Sequence, residues 1–193
     1  MFPEITRVES FKNGNKEHYN NNNELVYEII FTCPGVYEWV FYKDGKYHSY
    51  GNYPARIVYN KNRKTEYYYK DGLKHREEGP AIIEYIDCVK RKEHYYVDNK
   101  LHRKDGPAYI IYNLDGKDIQ YEQWYRYGKI HCEYGPSTTA MYDKDKVVYY
   151  FLNDKNYTKE EYQTIMHDKF SKIIYSSTSF CKDLCNEIST FVV

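Results

Sequence analysis

The chain has no run approaching the ~18 apolar residues that a membrane-spanning helix requires, so no membrane span is expected. Its first residues, 1 to 7, include an acid and lack the apolar stretch of a secretory signal, so no targeting segment is expected there. Neither sign of charge is in excess. With 28 acidic residues against 28 basic ones, the electrostatic footprint of a nucleic-acid binder is missing, and no nucleic-acid partner is expected. Five cysteines, Cys33, Cys88, Cys132, Cys181 and Cys185, are odd in number and lack a metal-ligand spacing, so they read as reduced thiols. A Gly-rich phosphate loop, a Gly-x-Ser-x-Gly elbow and a His-Glu-x-x-His helix are all absent, which leaves no catalytic constellation and no expected cofactor.

What the chain does have is tyrosine, 26 of 193 residues, and a period. His48, His75, His102 and His131 are separated by 27, 27 and 29 residues, and the last three stand five residues before Pro80, Pro107 and Pro136, each proline following Gly79, Gly106 or Gly135. A period in this range marks one supersecondary unit copied and stacked. Before each histidine sits a turn dipeptide, Asp44-Gly45, Asp71-Gly72, Asp98-Asn99 or Tyr127-Gly128, and before each turn an aromatic pair, beginning at Phe41, Tyr68, Tyr95 and Trp124. A fifth, half-complete unit begins at Tyr150 and lacks the histidine, and a frayed one is suggested around Phe11 to Gly14 with His18.

Asp-Gly between aromatic runs is a strong hairpin signal, because both turn residues must accept positive φ. Each unit is therefore expected to be a two-stranded hairpin advancing the array by roughly 10 Å. In the strand after Gly-Pro, Ala81, Ile83 and Tyr85, or Ala108, Ile110 and Tyr112, alternate with residues such as Ile82 and Tyr109, which predicts one core face and one partly wet face. The leading aromatics, Phe41, Tyr68, Tyr95, Trp124 and Tyr150, are expected to stack ring upon ring. The fold class is then mainly β: a single-sheet array of stacked β-hairpin repeats with a C-terminal capping helix.

Three regions follow. Residues 1–35 carry the polar run Asn20 to Asn23 and then a strand, Leu25 to Phe31, read as a cap on the first face. Residues 36–157 are the array. Residues 158–193 begin with a capping box, Thr158-Lys159-Glu160-Glu161, and a helical stripe of Tyr162, Ile165, Met166 and Phe170 that would cover the open sheet edge. A second amphipathic segment follows, in which Phe180, Leu184, Phe191 and Val192 are candidate partner-binding residues.

The four histidines invite a metal or catalytic reading, but ligands of one ion must converge, whereas stacked units hold equivalent residues about 10 Å apart. They are read instead as repeat-structural residues, together with Gly79, Pro80, Gly106, Pro107, Gly135 and Pro136, each ring bonded to the backbone of the loop before Gly-Pro. Arg76 and Arg103 are expected to pair with Glu77, Glu78 or Asp105, and Lys90-Arg91-Lys92 to form a solvated turn.

The units from Tyr69 to Ala81 and from Asp98 to Ala108, with their His-x-x-x-Gly-Pro-Ala ending, resemble the MORN-repeat variant of large nucleocytoplasmic DNA viruses; the stretch Phe151 to Tyr162 resembles the way such proteins close their arrays. The resemblance covers about residues 36 to 165, with a longer period and fewer glycines than standard MORN repeats. It implies a non-enzymatic structural or protein-interaction scaffold of a giant DNA virus. Its partners would be other viral proteins such as capsid or virion components, and its location the virion or the infected-cell cytoplasm at the viral factory. An antitoxin-like or inhibitory binding module and a membrane-surface adaptor stay open beside it.

Overall fold

The computed structural model describes residues 3–142 and 145–173. Its strands form one long antiparallel meander. A first hairpin, β1 (Arg7–Ser10) and β2 (Lys16–Tyr19), leads into β3 (Leu25–Cys33) and β4 (Val36–Lys43), and the end of β4 folds back on β5 (Lys46–Tyr47). The next unit is β6 (Arg56–Asn60) and β7 (Arg63–Tyr67), followed by a two-residue ladder, β8 (Tyr69–Lys70) with β9 (Leu73–Lys74). The same order returns in β10 (Ile82–Ile86), β11 (Val89–His94), β12 (Tyr96–Val97) and β13 (Lys100–Leu101). It returns again in β14 (Tyr109–Tyr112), β15 (Ile119–Gln123), β16 (Tyr125–Arg126) and β17 (Lys129–Ile130). The array ends with β18 (Thr138–Tyr142) and β19 (Asp145–Leu152), whose end pairs with β20 (Lys155–Tyr157).

Each repeat therefore contains two hairpins rather than one. The long strands, with β5 and β20, make the 14-stranded sheet, and β8–β9, β12–β13 and β16–β17 stand as separate two-stranded ladders; Asp-Gly and related turns close all five short ladders, here called clips. Both central residues of every clip turn have positive φ, from Asp44 (51°) and Gly45 (68°) to Asn153 (52°) and Asp154 (69°), the geometry that matches the right-handed twist of flanking strands. The long hairpins turn elsewhere, as at Asp87 and Cys88, which also have positive φ. Lys90-Arg91-Lys92 is accordingly strand in β11, not a solvated turn.

The junction between sheet and clip explains the alanine column. The amide N–H of the leading aromatic donates to the carbonyl of the residue after Gly-Pro or its equivalent: Phe41 to Ala55 (2.7 Å), Tyr68 to Ala81 (2.7 Å), Tyr95 to Ala108 (2.8 Å), Trp124 to Ser137 (2.8 Å). Ala55, Ala81, Ala108 and Ser137 are fully buried, so only a small side chain fits where the chain leaves the ladder. Tyr68, Ala81 and Ile83 form a core cluster with Tyr85 and Tyr96 against it. The face expected to be wet is not uniformly so: Ile82 is as buried as Ile83.

The two ends differ from their sequence readings. Strand β3 lies in the sheet between β2 and β4, extending it instead of covering a face. His18 sits in β2, stacked on Tyr27 at 3.9 Å, and does not occupy the clip position of the other histidines. At the C-terminal side the helix α1 (159–173) starts with the expected reciprocal cap: Glu161 N–H donates to Thr158 Oγ1 (3.2 Å), and Thr158 N–H to Glu161 Oε2 (2.9 Å). Tyr162 and Met166 are buried beneath it, whereas Phe170 is 42% exposed, at the rim of the stripe. No helix among the described residues is long and apolar enough to cross a membrane.

Candidate functional site

The recurring residues meet at the joints between clips. In each clip the histidine amide donates to the leading aromatic carbonyl of its own unit, at 3.2 Å for His48 on Phe41, 3.1 Å for His75 on Tyr68, and 3.0 Å for both His102 on Tyr95 and His131 on Trp124. The next residue reaches forward: the amides of Ser49, Arg76, Arg103 and Cys132 donate to the carbonyls of Tyr69 (2.8 Å), Tyr96 (3.3 Å), Tyr125 (3.4 Å) and Phe151 (3.3 Å) in the following unit. The second turn residue reaches back, from Gly72 to Tyr47 (2.9 Å), Asn99 to Lys74 (3.0 Å), Gly128 to Leu101 (2.8 Å) and Asp154 to Ile130 (3.0 Å). The clips are thus laced into a row beside the main sheet.

The imidazoles add a side-chain tie. Each ring meets the first turn residue of the following clip, not the loop before Gly-Pro. His48 Nδ1 lies 3.1 Å from Asp71 Oδ1, and His75 Nδ1 lies 2.8 Å from Asp98 Oδ1. A carboxylate only accepts, which assigns the proton to Nδ1 at His75; at His48 the Asp71 amide N–H also points at Nδ1 (3.4 Å), so carboxylate and amide meet the same nitrogen there. In the next two joints Nδ1 is the acceptor, taking the amide N–H of Tyr127 (3.3 Å, His102) and of Asn153 (3.2 Å, His131). The His102 ring also stacks on Tyr127 at 4.1 Å. Burial, with Arg126 nearby, holds the His102 imidazole below its ordinary 6.5, in keeping with an unprotonated acceptor nitrogen.

Arginine, not a stacked ring, covers the leading tyrosines. The guanidinium of Arg76 lies 3.7 Å from the Tyr68 ring centroid and donates to the Pro80 carbonyl (3.3 Å); Arg103 lies 4.0 Å from Tyr95 and donates to Pro107 (3.2 Å). These contacts replace the expected pairs with Glu77, Glu78 or Asp105, and Glu77 pairs with Lys70 instead. Gly79, at φ 111°, gives the loop a bend that an L side chain strains to adopt, and Pro80 and Gly106 are buried beneath the arginines. Open depressions of about 340 and 420 Å³ recur beside these loops, the first lined by His48, His75 and Arg76, the second by Arg76, His102 and Arg103.

The fourth loop is closed from outside. Cys132 stands where the arginines stand, and Tyr162 of α1 donates to the Cys132 carbonyl (3.2 Å), accepts from Gly135 N–H (3.0 Å), and packs its ring 4.9 Å from Tyr150. Gly135 and Pro136 are consequently half-covered by the helix. Lys169 of α1 also bonds Glu133, holding that carboxyl below its usual range. Burial raises the Tyr162 phenol to about 12 and pushes the Cys132 thiol up, so both stay protonated near neutrality.

On the sheet, no motif marks Glu93, which is 7% exposed and accepts from Lys90 (2.6 Å), Tyr112 (2.9 Å) and Tyr95 (3.3 Å). Its partners come from three strands or loops, so only the fold reveals it. Among the described residues no group of three or more His, Cys, Asp or Glu side chains is placed to hold a metal ion. Phe180, Leu184, Phe191 and Val192 lie outside the described residues. No family model matches the chain, and no curated protein matches its sequence.

Proposed function

We propose that this chain is a non-enzymatic scaffold of the MORN-repeat variant type, made by a giant DNA virus and carried in the virion or its minor capsid layer, where it binds other viral proteins. One observation carries the reading: the residues that recur are used to lace one unit to the next. His48, His75, His102 and His131 each meet a turn of the following clip, and Arg76 and Arg103 each close their own loop. What recurs maintains a long surface. What varies decorates it, as with Trp39, Tyr134 and Tyr149, all large and exposed. Tyrosine and tryptophan in such positions offer wide contact area at low entropic cost.

Mass spectrometry of purified, salt-washed virions tests the proposal, with affinity capture by the full chain from infected-cell cytoplasm as its companion. The expected result is a chain retained in the particle and a small set of captured viral proteins. Absence from particles together with capture of no viral protein overturns it.

A further inference from the structure

We propose that the outer face of the clip row binds an extended acidic polypeptide, an inference that rests on reading the chain as a protein-binding scaffold and names the chemistry of one partner. In a two-residue hairpin the residues flanking the turn lie opposite each other and share a face. The next pair inward shares the other face. In the clips that inner face carries half-buried tyrosines, Tyr42 opposite Tyr47 and Tyr69 opposite Lys74, so the flanking pair points outward.

The outward pairs are basic. Lys43 stands opposite Lys46, and Arg126 opposite Lys129. The other three clips each pair one lysine with one aliphatic residue: Lys70 with Leu73, Lys100 with Val97, Lys155 with Leu152. No acid occupies any of these positions. Four turn acids lie along the same row: Asp71 and Asp98 bond the histidines of the preceding unit, Asp154 bonds the Ile130 amide, and Asp44 stands exposed in the first clip. Lys70 has an ion pair with the exposed Glu77 at 2.9 Å, a solvated contact that an incoming carboxylate can replace. The strip's seven cations, Lys43, Lys46, Lys70, Lys100, Arg126, Lys129 and Lys155, outnumber the four turn acids and Glu77, which leaves a small local excess of positive charge.

Spacing selects the occupant. Equivalent residues of adjacent clips are two strands apart, about 10 Å. A polyproline II chain rises ~3.1 Å per residue with three residues per turn, so every third side chain returns to one face after roughly the same distance. An acidic residue at every third position would meet one cation per clip, and intervening apolar residues would meet Leu73, Val97 and Leu152. Those aliphatics favour a peptide over a nucleic acid, whose phosphodiester offers them nothing. They also fall short of an apolar surface for a bilayer, since Val97 and Leu152 are half-buried.

Fluorescence anisotropy with the full chain tests this, using a labelled peptide of repeating Glu-Leu-Pro triplets, a Gln-Leu-Pro control, a single-stranded oligothymidylate and phosphatidylserine vesicles. Binding of the Glu peptide alone is expected, weakened about tenfold or more on raising salt. The K46E/K100E/K129E and K46Q/K100Q/K129Q variants should bind about tenfold less or weaker while melting at the wild-type temperature, since all three lysines are exposed. No binding of the Glu peptide, equal binding by the variants, or preference for the oligonucleotide or the vesicles overturns the inference. Unchanged capture of viral partners by the reversed variant would overturn this inference alone, whereas loss of all partners from wild type overturns the scaffold reading itself.

Discussion

The joint made by His75 uses the same ring nitrogen as those made by His102 and His131, but with opposite polarity. At His75 Nδ1 donates to the Asp98 carboxylate, at His102 and His131 it accepts the amides of Tyr127 and Asn153, and at His48 both the carboxylate and the amide of Asp71 stand against it. Other columns change too. Arg76 and Arg103 give way to Cys132, and the alanines give way to Ser137, whose hydroxyl accepts the Phe151 amide at 2.7 Å. The backbone bonds across these joints nevertheless hold their pattern, with the turn-to-histidine-strand bond staying between 2.8 and 3.0 Å in all four. The repeat therefore conserves a backbone path, and side chains adapt to whatever the local turn offers. Buried main-chain groups must find partners, whereas a half-exposed imidazole has several ways to be satisfied.

If the shared backbone path matters most, the largest effect should come from crowding it. Ala108 is fully buried at the sheet-to-clip junction and its carbonyl takes the Tyr95 amide, so Ala108→Leu must push the two strands apart. We expect a loss of about 1–3 kcal/mol, read by urea unfolding, with the change felt in both neighbouring units. A melting curve like that of wild type would show that the junction is loose and that the alanine column has another cause.

A smaller effect should separate the last loop from the inner ones. Arg76 and Arg103 close their loops from within, but the fourth depends on Tyr162, a residue of another element. Tyr162→Phe removes the hydroxyl and leaves the Gly135 amide and Cys132 carbonyl without that partner, at a cost of about 1–2 kcal/mol. Hydrogen exchange should locate the loss at residues 132–136 and in α1, leaving the clips at His75 and His102 protected. Equal deprotection along the array would mean that the helix stabilises the sheet as a whole.

Much of this was legible before any coordinates, for identifiable reasons. Asp44-Gly45 and Asp71-Gly72 announce turns because few dipeptides accept two positive φ values, and Thr158 with Glu161 announces a helix start because their reciprocal bond is local. The long-hairpin turn at Asp87-Cys88 was not legible: cysteine is a poor signal for positive φ, and the basic run after it looked like solvated turn instead of strand. Period alone marked the histidines as belonging to the repeat, but their ring partners lie 22 to 25 residues away, in the next unit, and a spacing does not say which way a ring points. Tyr68 and Arg76 meet across the loop that carries Gly79 and Pro80, so at Tyr68 and Tyr95 the aromatic column read as ring on ring is in fact ring on guanidinium. The clip row's basic face was present in the sequence too, but it emerges only once the short ladders are known to form hairpins of their own.

The polarity difference between the joints can itself be converted. Tyr127→Asp places in the third joint the carboxylate that the first two possess, turning His102 Nδ1 from acceptor to donor. In the wild type the His102 ring titrates below its ordinary 6.5, so its contribution is complete above that value and is lost as pH falls from about 6.5 toward the lowered folded value, where the unfolded chain binds the proton more readily. With an acid opposite, the folded value should rise above 6.5. The contribution is then complete below the unfolded value and fades as pH climbs through the folded one. The magnitude stays under about 1 kcal/mol, because the site is largely open to water and the stacking of Tyr127 on the ring is lost. An NMR titration of the His102 ring should therefore move upward in the variant, and the pH slope of stability at this joint should change sign. A ring that titrates as before would mean that the polarity of these ties is fixed by the surrounding backbone and not by the residue at the turn.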